Sequence, residues 1–108
     1  MTLEPPRHRV ELEEDIEDYC VGYTEKLGWE NLKLDKIKKG WPDRLFFAPN
    51  GALLIVEFKR GEEKPRPKQV AVHQRLRALD HEVHIVLRRK HFCRLVEEVM
   101  TQVPTAPE

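Results

Sequence analysis

The uninterrupted apolar run Ala52-Leu53-Leu54-Ile55-Val56 restricts the possible folds of this chain more than any other feature. A strand with one wet face alternates polar and apolar side chains. A run without alternation needs cover on both faces, and therefore a place inside a sheet. Residues 44–48 form a second apolar stretch, and Pro49-Asn50-Gly51 between the two favours a tight reversal of the chain. An antiparallel hairpin is predicted, with its second strand, 52–58, in the centre of the sheet.

The flanking segments supply the cover. Leu12, Ile16, Tyr19, Tyr23 and Leu27 recur at steps of three or four, which predicts a helix over 11–27 ended by Gly28. A short strand is expected at 31–35, with Leu32 and Leu34 on one side, followed by a basic loop over 36–42. The Gly- and Pro-punctuated connection 61–67 leads into a second helix with Gln69 in its first turn and Val70, His73, Leu76 and Leu79 on its buried side. Residues 82–87 read as another buried strand. A last helix, 90–102, turns Phe92, Leu95, Val96, Val99 and Met100 inward. The predicted class is α/β, a mixed central sheet of about four strands flanked by helices. The strand at Val86, returning after a helical crossover, should run parallel to the strand at Ile55.

Composition bounds what such a chain can do. With 108 residues, 40% of them hydrophobic, it closes one modest core, so 1–108 is read as a single domain ordered over about 10–102. The Pro5-Pro6 leader and the tail 104–108 are expected to fray. No apolar run is long enough for a membrane span and the first residues lack a secretory layout, so a soluble, cytoplasmic setting of bacterial or phage type is expected, with no membrane partner. Cys20 and Cys93 stand far apart and outside any zinc-finger spacing, which argues for two small half-buried residues. Nineteen basic residues balance nineteen acidic ones, so contact with a polyanion requires segregated charge. Segregation is visible: Glu11, Glu13, Glu14, Asp15 and Glu17 crowd the first helix, while cations gather on either side of the hairpin.

Two acids mark one end of that hairpin. Asp43 opens its first strand and Glu57 closes its second, so antiparallel pairing brings both carboxylates to the same end of the sheet. Hard divalent cations take such oxygen ligands together with water and phosphate. Alternation sends Glu57 and Lys59 to one face and Phe58 to the other, placing an ammonium beside the carboxylates. Carboxylates, a cation and an ammonium together suit hydrolysis of a phosphodiester. Taken alone, Glu57 and Lys59 would read as an exposed pair at a strand end.

The wider pattern is Gly40-Trp41-Pro42-Asp43, thirteen residues, Glu57-Phe58-Lys59, and then Lys64-Pro65-Arg66-Pro67-Lys68-Gln69. It resembles the PD-(D/E)xK nuclease superfamily and, within it, the VRR-NUC family, over a stretch from the first helix to about Val86. The resemblance implies a restriction-endonuclease-like sheet and a site in which Asp43, Glu57 and the main-chain carbonyl of Phe58 bind magnesium or manganese. It implies further that Lys59 orients the attacking water and that Gln69 supports the site from its helix. Similar sequences also use a first-helix acid, for which Glu13 is the best match; Glu17, one turn along the same face, remains open. Trp41 stands where small aliphatic residues are common, either to stack on DNA or to pack. His73, His84 and His91 show no metal-ligand spacing and are read as structural.

Lys38, Lys39 and Arg44 before the acids, and Arg60, Lys64, Arg66 and Lys68 after them, are the expected DNA contacts, suited to phosphates and carrying no base specificity. The expected function is divalent-metal-dependent, structure-selective cleavage of DNA. Stand-alone relatives suggest resolution of four-way (Holliday) junctions, in DNA repair or recombination, and a domain with one site would need a homodimer to cut both strands. The alternatives are a flap or end-processing nuclease, working beside a helicase or repair partner, and a non-cleaving DNA-binding scaffold of the same fold.

Overall fold

The computed structural model describes residues 11–34 and 37–102. The elements run α1 (Glu13–Lys26), β1 (Glu30–Lys33), β2 (Arg44–Phe47), β3 (Leu53–Phe58), α2 (Pro67–Ala78), β4 (Val83–Val86) and α3 (Arg89–Thr101). They form the α/β arrangement expected. The sheet order is β1-β2-β3-β4, antiparallel between the first three strands and parallel between β3 and β4. The apolar run therefore lies between two neighbours, as its lack of alternation requires. Both proline-rich termini expected to fray, Asp35 at the end of the expected strand 31–35, and Lys36 of the basic loop lie outside the described residues.

The hairpin turn is built from the residues that flagged it. Gly51 adopts φ +88°, which an L side chain rarely tolerates, and donates its N–H to the Ala48 carbonyl at 3.1 Å. Asn50 accepts from the Ala52 N–H through Oδ1 and donates through Nδ2 to the Val99 carbonyl at 2.9 Å, tying the turn to α3.

Alternation on β3 divides its side chains between two layers. Leu54, Val56 and Phe58 join Ile16, Cys20, Trp29, Phe46, Phe92 and Val96 in the main core, beneath α1 and α3. Phe46 is its centre, 4.9 Å from Phe92 and edge-on to Phe58 at 6.4 Å between centroids. Truncating a buried ring of this kind generally costs about 3–5 kcal/mol. Ile55, Glu57 and Lys59 point to the opposite layer, where α2 lies.

The helical faces differ from those predicted. On α1 the buried positions are Ile16, Cys20 and Thr24, whereas Leu12, Tyr19 and Leu27 are exposed. Small residues at the contact let the helix approach the sheet closely, and Thr24 donates its hydroxyl to the Cys20 carbonyl at 2.8 Å, which removes the cost of burying it. Tyr19 and Tyr23 stack at 6.0 Å on the flank, with the Arg89 guanidinium over Tyr19. Cys20 is fully buried, not half-buried, and burial pushes its thiol pKa well up. On α2 the inward residues are Val72 and His73; Val70 is exposed, and Leu79, beyond the last turn, is 69% exposed. Residues 69, 72, 73 and 76 form the true stripe. On α3 Phe92 and Val96 are buried as expected, while Met100 is exposed.

Candidate active site

The register of the hairpin builds the site. The last pair of its ladder towards this end is Arg44 with Val56, so one residue further Asp43 stands opposite Glu57. Asp43 Oδ2 accepts the Phe58 N–H at 2.7 Å, which fixes its carboxylate against the main chain immediately after Glu57. Lys59 N–H donates to the Val86 carbonyl at 3.0 Å, so the parallel strand β4 holds the far end of β3 in place.

Glu57 is fully buried, and Lys59 is 7% exposed. A carboxylate withdrawn from water is costly unless it is paired and hydrogen-bonded. Glu57 Oε1 takes the imidazole of His73 at 2.9 Å. Oε2 lies 3.8 Å from the Lys59 ammonium, beyond hydrogen-bond range, and has no hydrogen-bond partner. One carboxylate oxygen is thus buried, on the side of the Lys59 ammonium, and left unsatisfied. That is the chemistry of a ligand oxygen awaiting a hard cation. Among the described residues no three acids, histidines or cysteines converge to enclose an ion by themselves. Magnesium is generally held by one or two carboxylates, with water and substrate phosphate completing the shell, and Asp43, Glu57 and a main-chain carbonyl are the donors such an ion accepts.

Two further acids approach from outside the sheet. Burial, and then a hydrogen bond with the Glu63 carboxyl, push the Glu13 pKa up to about 7; the charge of Glu63 and, more weakly, Asp43 add to this, and the Lys59 ammonium opposes it. Glu13 therefore stands within the field of Asp43 and Lys59. Glu17 does not share this place: it receives the Arg44 guanidinium at 2.9 and 3.0 Å, with Lys33 at 3.9 Å. Glu63 was not among the acids picked out from the sequence, because in a connection rich in Glu, Lys and Pro it has no periodicity to distinguish it.

Gln69 sits in the first turn of α2, where its Oε1 accepts the Arg66 N–H at 2.8 Å and closes the helix start. Pro67 occupies the first helical position, where its missing N–H costs nothing. The Gly40 loop packs against this start. Gly40 has φ +87°, and a Cβ there would lie 3.2 Å from the Lys68 carbonyl oxygen. Gly40→Ala is expected to destabilise the fold by about 1–2 kcal/mol from the left-handed backbone alone, with the close approach adding to it. Chemical denaturation of the two proteins checks this.

Similarity to known proteins identifies the family. No family profile matches the chain. A protein of Acyrthosiphon pisum secondary endosymbiont phage 1, named "Putative nuclease p44", is 40% identical over 75 residues, covering 68% of this chain and 81% of the relative. A solved structure described as a VRR_NUC domain superposes with a TM-score of 0.70 at 33% identity, over 79% of this chain and 94% of that one. The chain belongs to the VRR-NUC nuclease family.

In this VRR-NUC nuclease the cations expected to meet DNA are not equivalent. Lys39, Arg66 and Lys68 line one depression of about 280 Å³ with Gly40, Pro67 and Gln69. Arg60 lines another, of about 460 Å³, with Leu12, Glu13, Glu14 and Glu63. Lys64 is exposed between them in sequence. Lys38 places its ammonium 5.3 Å from the centre of the Trp41 ring, and Trp41 lines a depression with Leu34 and Ile37. Arg44 is drawn inward: besides Glu17 it donates to Asn31 Oδ1, and its side chain is only 14% exposed. An arginine so engaged braces α1 against β1 and β2, and its guanidinium is directed to Glu17 and Asn31 instead of to an expected phosphate contact.

Proposed function

We propose that this VRR-NUC nuclease is a divalent-metal-dependent, structure-selective DNA endonuclease that acts on branched DNA, four-way junctions foremost, as a homodimer. The observation that carries the metal dependence is the buried, unpartnered Oε2 of Glu57 beside Lys59 and Asp43. Asp43, Glu57 and the Phe58 carbonyl would hold magnesium or manganese, with Glu13 at its outer side. Bound there, the ion would polarise a phosphoryl oxygen and make water a better nucleophile. Lys59 orients that water and stabilises developing negative charge. Gln69 holds the start of α2 against the site, and Lys39, Arg60, Arg66 and Lys68 receive the phosphate backbone.

The substrate reading rests on charge and size. Phosphate contacts spread round a small site position DNA without reading bases, and cutting two opposed strands symmetrically takes two sites. Among the described residues no helix is long and apolar enough to cross a membrane; the phage relative fits a bacterial or phage setting.

Incubation with labelled four-way junctions, flaps, single strands and linear duplex, with and without magnesium or manganese, tests the proposal. Paired symmetric nicks confined to junctions are expected. Cleavage that persists in chelator removes the metal; cutting of flaps alone selects an end-processing nuclease; tight binding without cutting selects a scaffold. The placement of the first-helix acids gives a sharper check. Glu13→Gln is expected to weaken manganese binding several-fold, by loss of about 1 kcal/mol of charge interaction, whereas Glu17→Gln should leave that affinity unchanged and lower only thermal stability.

A further inference from the structure

His73 is a buried titratable group for which the sequence suggested no function. It is 2% exposed, and its Nε2 meets Glu57 Oε1 at 2.9 Å. A histidine that merely packs against a sheet could satisfy its ring with any carbonyl. This one engages the carboxylate on which metal binding is proposed to depend, and engages only one of its two oxygens.

That division has a consequence for the other oxygen. With Oε1 accepting the Nε2–H, rotation about the last side-chain bond of Glu57 is restricted and Oε2 is held on the side of the Lys59 ammonium. Oε2 is the oxygen that lacks a hydrogen-bond partner. The helix that delivers His73 is itself anchored. One turn earlier Gln69 closes the helix start on the Arg66 N–H, and Gly40 packs against the Lys68 carbonyl. The imidazole is therefore fixed relative to the Gly40-Trp41-Pro42-Asp43 loop as well as to β3.

We propose that His73 is a positioning residue of the metal site, donating its Nε2–H to Glu57 Oε1 so that Oε2 alone is presented to the ion; this rests on the metal-dependent reading given above. Outer hydrogen-bond partners of metal ligands act in this way, orienting the ligand and raising its basicity.

The test is manganese binding by calorimetry on the full chain, comparing wild type with His73→Leu, which keeps bulk and loses the donor, and His73→Gln, whose amide nitrogen can occupy the place of Nε2. His73→Leu is expected to bind manganese about tenfold more weakly or worse, and His73→Gln to stay within about threefold of wild type. Ring-nitrogen NMR of the wild-type protein, which needs no substitution, should show His73 protonated on Nε2. Unchanged affinity in His73→Leu, equal weakening in His73→Gln, or a ring protonated on Nδ1 alone would overturn the role of His73. Wild-type protein that binds no manganese would overturn the metal reading with it, so the two failures are distinguishable.

Discussion

Lys59→Ala is expected to lower DNA cleavage by at least about 100-fold, the effect typical of removing one preorganised donor to developing charge, while manganese binding holds or tightens slightly. The two readouts move apart for an electrostatic reason. The ammonium lies 3.8 Å from Glu57 Oε2 and so competes with any cation at that oxygen, yet the same ammonium serves the water and the phosphate once an ion is bound. The substitution should also lower stability in chelator, since Glu57 then stays buried with His73 as its one hydrogen-bond partner among the described residues. Added manganese should restore part of that loss. Lys59→Arg is not expected to rescue cleavage, because a planar guanidinium cannot stand in for a compact point charge in a space that is 7% exposed. Single-turnover rates with denaturation curves, in chelator and in manganese, give all of these. An alanine variant that cuts within about threefold of wild type would refute the role of Lys59.

Glu57→Gln has an equally large expected effect on activity and an opposite effect on the metal-free fold. The amide keeps the shape and still accepts from His73, but no longer carries a buried charge. Stability in chelator should therefore be unchanged or higher. The response to metal should vanish. A ligand present at about 100 times its dissociation constant stabilises a folded protein by about 2.7 kcal/mol, which for a domain of this size is roughly a 10 °C rise in melting temperature. Wild type should show that rise with manganese and Glu57→Gln should show none. Thermal melts decide the matter, and a Glu57→Gln protein that melts higher with manganese by the same margin would place the ion elsewhere.

Much of the fold was legible because its signals are local. Pro49-Asn50-Gly51 turns the chain whatever surrounds it, and the unbroken run at 52–56 can satisfy itself only inside a sheet. Asp43, Glu57 and Lys59 followed from the same hairpin: antiparallel pairing brings strand start to strand end, and period-two alternation keeps Glu57 and Lys59 on one face. The helical faces were less legible. Large apolar residues on α1 suggested Tyr19 and Leu27 for the core, but the contact is made by Ile16, Cys20 and Thr24, because close packing favours small side chains where a helix crosses a sheet.

What the sequence alone determined, then, is the central strand, the order of elements and the placing of three chemical groups at one sheet end. Tertiary structure decided which of two equivalent first-helix acids belongs to that end. Glu13 and Glu17 share a face, and only the docking angle of α1 sends Glu17 to Arg44 and leaves Glu13 among Glu63, Lys59 and Asp43. Tertiary structure likewise turned Arg44 from a surface cation into a brace and His73 from a packed ring into the partner of Glu57. These pairings join residues 27 and 16 positions apart. Local propensity has no reach over such separations; burial does, because a charge taken out of water must find its counterpart wherever the packed elements bring one.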